Sequence, residues 1–202
     1  MKSPRRPELW GVVNVTPDSF SDGGLFLGAE AATAHALQMV EQGALVIDVG
    51  GESTRPGAAR VTPEEEIARV IPVVTALAHA GVVVSIDTMR ASTATVAVDA
   101  GARIINDVSG GLADSEMFAA VAACDAEYVL MHWRGHSDQM DSLATYDDVV
   151  SEVSAEIHAR VSAATEAGID TARLIVDPCL GFAKTPAHNW SLLPHPSDLA
   201  PV

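Results

Sequence analysis

Two polar loops hold most of the residues in this sequence whose types and spacing could do chemistry. The first, residues 14–24 (NVTPDSFSDGG), places two carboxylates, three hydroxyls and an amide within eleven residues. Such oxygen donors suit Mg²⁺, which binds one or two protein groups together with the phosphate oxygens of a substrate. Pro-Asp and Asp-Gly-Gly are also ordinary turn sequences, so composition alone leaves a metal-binding loop and a solvated turn equally open.

The second polar loop, residues 48–58 (DVGGESTRPGA), has the composition of an anion site. Adjacent glycines let backbone N–H groups approach an anion, and Ser53, Thr54 and Arg55 add hydroxyl donors and a planar guanidinium. Neither polar loop fits the P-loop or the G-x-G-x-x-G pattern. The chain has 12 Lys and Arg against 27 Asp and Glu, a net charge of -15. This charge argues against nucleic-acid or anionic-membrane partners, so an anionic substrate must be held locally.

Polar residues recur where short runs rich in Val and Ile stop. They are Asn14, Asp48, Asp87, Asn106, His132 and Asp177. One strand-end Asp is more often a helix N-cap, but six such residues favour a shared functional edge. In a (β/α)₈ barrel the carboxyl ends of all strands meet in one mouth, whereas a doubly wound sheet binds ligands only near its switch point.

Alternating strand and helix patterns position these polar residues and predict an α/β fold. The expected strands are Leu9–Asn14, Ala44–Asp48, Val82–Asp87, Ile104–Asn106, Tyr128–His132 and Leu174–Asp177. The expected helices are Ala29–Glu41, Pro63–Ala80, Arg90–Ala100, Ser115–Ala123 and Thr145–Ala167. Gly43, Gly81, Gly101 and Gly168 are predicted to end four helices. Thr62 is the expected N-cap of the second helix, with Glu65 completing a capping box.

Length and composition predict one globular domain over residues 1–192, followed by an atypical proline-rich tail over residues 193–202. The 202 residues are 48% hydrophobic and 19% charged, as in ordinary globular proteins. The two cysteines lack C-x-x-C spacing and are too few for a disulfide framework. We therefore expect a reducing, cytoplasmic setting. No signal peptide and no membrane-spanning run is predicted.

The two loops and four further segments resemble the signatures of dihydropteroate synthase. The first loop matches over residues 14–24 and the second over residues 50–57 (GGESTRPG). The further segments are 85–88 (SIDT), 105–111 (INDVSGG), 130–132 (LMH) and 177–185 (DPCLGFAKT) with His188 and Asn189. The match is collinear from Trp10 to about Leu192. Two long signatures in the correct order make a chance similarity improbable.

The resemblance implies a TIM (β/α)₈ barrel enzyme of folate synthesis and a target of sulfonamides. Such enzymes join 6-hydroxymethyl-7,8-dihydropterin pyrophosphate to p-aminobenzoate, and the full-length family commonly forms homodimers. By the same resemblance, Asp87, Asn106 and Asp177 bind the pterin, with Met131 and Phe182 beside it. Asn14 helps to bind Mg²⁺ and the pyrophosphate. The residues expected to close over p-aminobenzoate and organise the leaving group are Asp18, Ser19, Phe20, Asp22, Ser53, Thr54, Arg55 and Pro56.

Several features depart from the family pattern. Only six strand signals are present, so we expect an incomplete barrel of about six β/α units, whereas a complete barrel takes about 250 residues. The Ser-Arg-Lys and Arg-x-His segments of the last two strands are missing, which predicts reduced activity. Cys179 stands where the family more usually has Gly, so a positive φ there would be strained; a small buried thiol without chemistry is the favoured interpretation. His132 is expected to be a positioning group.

Two alternatives to an active synthase follow from the sequence. A pterin-dependent methyltransferase domain would share the barrel and the strand-end Asp and Asn residues. The two loop signatures would have no evident task in methyl transfer, however. The second alternative is a non-catalytic truncated barrel, either a pseudoenzyme or a partner-binding fragment.

Overall fold

The strands form one parallel sheet whose order follows the chain. The computed structural model describes residues 7–16, 24–52, 61–136 and 139–194. The strands are β1 Trp10–Asn14, β2 Val46–Gly50, β3 Val83–Asp87, β4 Ile104–Asp107, β5 Glu127–Met131 and β6 Leu174–Asp177. Their order is β1-β2-β3-β4-β5-β6 and every pairing is parallel. In the described part of the chain, β1 and β6 are the edges of this six-stranded sheet.

A helix follows each strand, as the alternating pattern predicts. The helices are α1 Gly24–Glu41, α2 Pro63–His79, α3 Ala91–Asp99, α4 Met117–Ala122, α5 Val149–Glu166 and α6 Pro186–Leu192. Short 3₁₀ turns lie at Met140–Leu143 and Thr171–Arg173. α6 was not among the expected helices. It ends just before Pro194, which cannot continue a helix.

The predicted strand boundaries hold within about two residues, and the largest deviation affects the site. β2 begins and ends two residues later than expected. Asp48 therefore lies inside β2 rather than at its end. The reason is that Val49 and Gly50 continue the buried strand and pair with Ile86 and Asp87 of β3.

The helix ends follow the predicted chemistry with one exception. Gly43, Gly81, Gly101 and Gly168 all adopt positive φ after a helix, as predicted. The Thr62 side chain caps α2 by accepting a hydrogen bond from the Glu65 amide at 3.2 Å. The predicted second bond of the capping box, from the Thr62 amide to the Glu65 carboxylate, is wrong. The Glu65 carboxylate pairs instead with Arg69 on the next turn of the helix.

The sheet packs a different core on each face, because successive side chains of a strand point to opposite sides. The larger core lies between the sheet and the helices and includes Ile47, Ile86 and Leu130. The inner face carries a small apolar cluster of Val46, Ile104 and Val129, with Trp10, Met131 and Ile175 against it. We call this inner face the lumen. Polar side chains occupy it nearer the carboxyl ends of the strands.

Among the helices of the described residues, none is long and apolar enough to cross a membrane.

We expect Gly101→Ala to destabilise the fold more than Gly43→Ala. Both glycines have φ near +110°, so an alanine at either position is strained by roughly 1 kcal/mol. A Cβ on Gly101 would also lie 2.6 Å from the Cβ of Ala78, whereas one on Gly43 would meet nothing within 4 Å. Such overpacking adds roughly 1–3 kcal/mol. Urea unfolding of the two variants measures this difference, and equal losses of stability would contradict it.

Candidate active site

The strand register brings the predicted strand-end residues to one region of the lumen. Asn14, Gly50, Asp87 and Asn106 pair successively across β1 to β4 and form one layer. Met131 and Asp177 pair with each other on β5 and β6, one layer closer to the mouth of the lumen. The structure therefore brings together Asn14, Asp87, Asn106, Met131 and Asp177. Their roles in binding stay predictions.

Gly50 makes room for two of these polar groups. A Cβ built on Gly50 would lie 3.2 Å from Asn14 Oδ1 and 3.2 Å from Asp87 Oδ2. Any side chain at this position would therefore crowd the amide and the carboxyl group. Gly50 of the second polar loop thus supplies space in the lumen.

Asp87 is a hydrogen-bond acceptor without a donor among the described residues. Burial raises the pKa of Asp87 well above its ordinary value, and the negative charges of Asp48 and Glu66 raise it further. No lysine or arginine of the described chain pairs with it. A ligand that brings N–H donors or positive charge would relieve this unfavourable electrostatic environment.

Asp48 and Asn106 form a hydrogen-bonded pair that joins two layers of the lumen. The Asn106 Nδ2 group donates to Asp48 Oδ2 at 3.0 Å. Asp48 is only 5% exposed, and burial raises its pKa, with contacts to Ser85 and Asn106 partly opposing that shift. The sequence marked Asp48 as a strand-end residue, and the later end of β2 places it one layer below Asn14 and Asp87.

The turn after β6 is built around two residues with positive φ. Cys179 has φ 56° and Ala183 has φ 50°. The expected strain at Cys179 is therefore present, and Ala183 is a second such position that the sequence analysis missed. The Cys179 amide donates to Asp177 Oδ1 at 2.7 Å and orients that carboxylate. Burial raises the pKa of the Cys179 thiol to about 12, and the negative charge of Asp177 adds to this shift. The thiol therefore stays protonated near neutral pH, which agrees with the expected lack of reactivity.

A buried lysine fixes the same turn and with it Phe182. Lys184 Nζ donates to the carbonyl oxygens of Cys179 at 3.2 Å and Phe182 at 3.1 Å. The Tyr146 hydroxyl donates to the carbonyl oxygen of Ala183 at 2.9 Å. The carbonyl groups of Phe182 and of the residue that follows it both accept hydrogen bonds, and these bonds fix the backbone that carries the Phe182 ring.

The prediction that His132 shares the mouth with the other strand-end residues is wrong. It follows Met131, the last residue of β5, so its side chain turns away from the lumen towards α5. Its Nδ1 lies 2.8 Å from Lys184 Nζ and its Nε2 lies 2.8 Å from Glu156 Oε2. Since an ammonium group only donates, Nδ1 accepts and the proton resides on Nε2. His132 thus supports the turn after β6, which agrees with the expected positioning role.

The stems of the second polar loop are held by two arginines that the sequence analysis did not single out. Arg90 Nη1 lies 2.7 Å from Glu52 and 2.6 Å from Glu66, and Nη2 donates to the carbonyl oxygen of Val61 at 2.8 Å. Arg69 donates to the carbonyl oxygen of Gly51 at 2.9 Å. One guanidinium therefore ties together residues on both sides of segment 53–60.

Eight of the predicted site residues lie outside the described residues. They are Asp18, Ser19, Phe20, Asp22, Ser53, Thr54, Arg55 and Pro56. Their predicted roles over p-aminobenzoate and the leaving group stay predictions.

Comparison with known proteins decides the family. Residues 10–200 match the family described as pterin-binding enzymes. The chain belongs to this family. Several of its relatives are dihydropteroate synthases, so the sequence resemblance is confirmed. The six β/α units are accordingly part of a TIM-barrel fold.

Two relatives, one of them in two structures, show how far the similarity extends. The dihydropteroate synthase of Mycobacterium leprae is 54% identical over 187 residues, which cover 92% of this chain and 66% of that protein. A structure of the Xanthomonas albilineans dihydropteroate synthase with 4-aminobenzoic acid has a TM-score of 0.87 at 47% identity, covering 96% of this chain and 69% of that one. Another structure of the X. albilineans enzyme, with 7,8-dihydropteroate, has a TM-score of 0.81 at 43% identity, covering 94% and 67%. The chain thus spans about two thirds of the length of these relatives.

We expect Ala183→Gly to stabilise this chain by about 1 kcal/mol, because glycine removes the steric cost of a left-handed conformation. The matched control is Ala155→Gly on the exposed face of α5, where glycine should destabilise the helix by about 1 kcal/mol. Chemical denaturation of both variants tests the opposite signs. A loss of stability in Ala183→Gly equal to that of the control would contradict the strain.

His132 should make the chain less stable as the pH falls from about 6.5 to about 4. Burial and the Lys184 charge lower the pKa of folded His132 from 6.5 to about 4. The unfolded state therefore takes up a proton in this range while the folded state does not, so the free energy of unfolding falls by roughly 3 kcal/mol. Below the folded pKa this contribution no longer changes.

The variant His132→Gln keeps a donor and an acceptor but does not titrate. Unfolding free energies measured between pH 4 and pH 7 should therefore depend less on pH in this variant than in the wild-type chain. Replacement of His35, which is exposed on α1, by Gln is the control and should retain the wild-type slope. Identical slopes for all three proteins would be inconsistent with a buried neutral His132.

Proposed function

We propose that this chain binds 6-hydroxymethyl-7,8-dihydropterin pyrophosphate and carries the site that condenses it with p-aminobenzoate. The products of this dihydropteroate synthase reaction are 7,8-dihydropteroate and pyrophosphate. The observation that carries the proposal is the group of acceptors formed by Asp87, Asn106 and Asp177 on the lumen face of the sheet. Carboxyl ends of barrel strands are where the active sites of such folds are built.

The residue types suit a pterin ring. A pterin presents adjacent N–H donors along a guanidine-like edge, and a carboxylate can accept two of them in a paired geometry. Asp87 lacks a donor among the described residues, and Asp177 retains one oxygen beyond its bond to the Cys179 amide. Met131 and Phe182, both half-buried, provide apolar contacts for the ring.

The relatives support the second substrate and the product. The Xanthomonas albilineans enzyme has been solved with 4-aminobenzoic acid and with 7,8-dihydropteroate. p-Aminobenzoate would meet the two polar loops, whose signatures match that family. The loop signatures favour this reaction over methyl transfer, in which they would have no evident task.

The reaction exchanges one bond of the pterin methylene carbon. The bond from this carbon to the pyrophosphate oxygen breaks, the aniline nitrogen bonds to the carbon, and the nitrogen then releases one proton. Departure of pyrophosphate leaves positive charge on the pterin, which a nearby carboxylate such as Asp87 stabilises. The aniline nitrogen is already a competent nucleophile, so no side chain has to act as a strong base.

Mg²⁺ belongs to the same proposal through Asn14. The space left by Gly50 keeps Asn14 Oδ1 unobstructed in the upper layer of the lumen. Within the described ranges, no group of three or more His, Cys, Asp or Glu side chains could hold a metal ion. We expect the cation to be held by Asn14 together with pyrophosphate oxygens, because Mg²⁺ prefers one or two protein groups and the phosphate oxygens of a substrate. When bound, it would neutralise charge on the leaving pyrophosphate.

A cytoplasmic setting completes the proposal. Both cysteines, Cys124 and Cys179, are free, and proteins without disulfides are typical of reducing compartments.

Calorimetric titration of the 202-residue chain with the pterin pyrophosphate and Mg²⁺ tests the proposal. We expect binding, and we expect Asp177→Asn to weaken it roughly 10- to 100-fold, because a charged acceptor for ligand N–H groups is lost. Asp99→Asn, an exposed position at the end of α3, is the matched control and should bind like the wild-type chain.

Turnover is the second readout of this experiment. Pyrophosphate release that depends on p-aminobenzoate would support the complete reaction. Binding without turnover would support a pterin-binding chain without catalysis, and absence of binding by the folded wild-type chain would rule out the proposal.

A further inference from the structure

We infer that Asp48 is a positioning residue that fixes the side-chain amide of Asn106, so that Asn106 presents its carbonyl oxygen to the ligand. This inference rests on the proposed function, because the ligand it concerns is the pterin. It assigns a role to Asp48, the first residue of the second polar loop, which the register places one layer below the expected ligand position.

The pairing joins residues that are far apart in the chain. Asp48 lies in β2 and Asn106 in β4, with β3 between them. Asn106 Nδ2 donates to Asp48 Oδ2 at 3.0 Å across this separation of 58 residues. The Oδ1 atom of Asn106 is buried and has no hydrogen-bond partner in the part of the chain that the structure describes.

The depths of the two residues give them different tasks. Asn106 shares its layer with Asp87, and both are partly accessible from the lumen. Asp48 lies one layer deeper, beside Ser85, and is 5% exposed. A ligand that enters from the carboxyl ends of the strands reaches Asn106 first, and Asp48 lies behind it.

The chemistry of the two side chains sets the orientation. A free amide can offer either two donors or an oxygen acceptor to a ligand. In the structure its NH₂ group is taken up, because Asp48 Oδ2 accepts from Asn106 Nδ2. Asp48 therefore takes up the NH₂ group of Asn106 and leaves its buried oxygen as the acceptor without a partner among the described residues. Reversing the amide would place two acceptor oxygens against each other and leave the NH₂ group without Asp48 as its acceptor.

The result is that three strand-end side chains of the described residues offer the same kind of hydrogen-bonding group. Asp87, Asn106 and Asp177 all offer oxygen acceptors, so the site as a whole selects a heterocycle edge that carries N–H groups. Without Asp48, Asn106 could rotate its amide and donate instead. Asp48 thus contributes to specificity without touching the ligand.

A double-mutant cycle tests this role in the 202-residue chain. The proteins are the wild type, Asp48→Asn, Asn106→Ala and the double variant, each titrated with 6-hydroxymethyl-7,8-dihydropterin pyrophosphate and Mg²⁺. We expect each single variant to bind roughly tenfold more weakly. Asn106→Ala removes one hydrogen bond to the ligand, and Asp48→Asn offers a donor as well as an acceptor, so it no longer fixes the orientation of the Asn106 amide. The double variant should bind no more weakly than Asn106→Ala, since Asp48 acts only through Asn106.

Two results would overturn the inference while leaving the proposed function intact. One is unchanged affinity in Asp48→Asn. The other is a double variant whose loss is the product of the two single losses, because Asp48 would then act independently of Asn106. Absence of binding by the wild-type chain would instead overturn both the proposed function and this inference.

A measurement on the wild-type chain keeps the inference testable if Asp48→Asn fails to fold. The side-chain amide protons of Asn106 can be assigned by NMR through their absence in Asn106→Ala. We expect their exchange with solvent to be slow both before and after the pterin is added, because the bond to Asp48 persists. An amide that exchanges rapidly in the free chain, or that changes its acceptor when the pterin binds, would contradict the inference.

Discussion

The common register of the parallel strands is the constraint on which the site depends. Because side chains alternate between the two faces of a strand, one set of residues builds the core under the helices and the other set lines the lumen. The pairing of Asn14, Gly50, Asp87 and Asn106 across four strands brings residues from distant segments into one layer. A shift of one residue in any strand would turn its polar group into the apolar core.

This arrangement concentrates negative charge that the described residues do not neutralise. Arg90 is engaged by Glu52, Glu66 and the carbonyl oxygen of Val61, and Lys184 is engaged by the turn after β6. Asp87 consequently keeps a raised pKa and no donor. Acceptors left unsatisfied in the free protein are satisfied by a ligand with complementary donors, so the electrostatic strain favours binding.

Supporting residues were harder to predict than the site itself. Glu66 interrupts the buried face of α2, where Val70, Val73 and Leu77 follow at helical spacing, and a carboxylate in such a stripe signals a buried partner. That signal was present in the sequence, but its partners Arg90, Thr88 and Thr93 lie on neighbouring elements. Lys184 and Ala183 carried no comparable signal, because their roles depend on the shape of the turn after β6.

The sequence by itself determined the alternation of strands and helices, the glycine helix ends, the family and the set of strand-end polar residues. These features follow from local periodicity, from turn chemistry and from contiguous motifs, all of which can be read along the chain. The tertiary structure decided the depth of Asp48, the outward direction of His132 and the contacts by which Arg90 joins residues on both sides of segment 53–60. Each of these depends on which residues face one another across strands and helices, and a difference of two residues in the end of β2 was enough to change the layer in which a carboxylate lies.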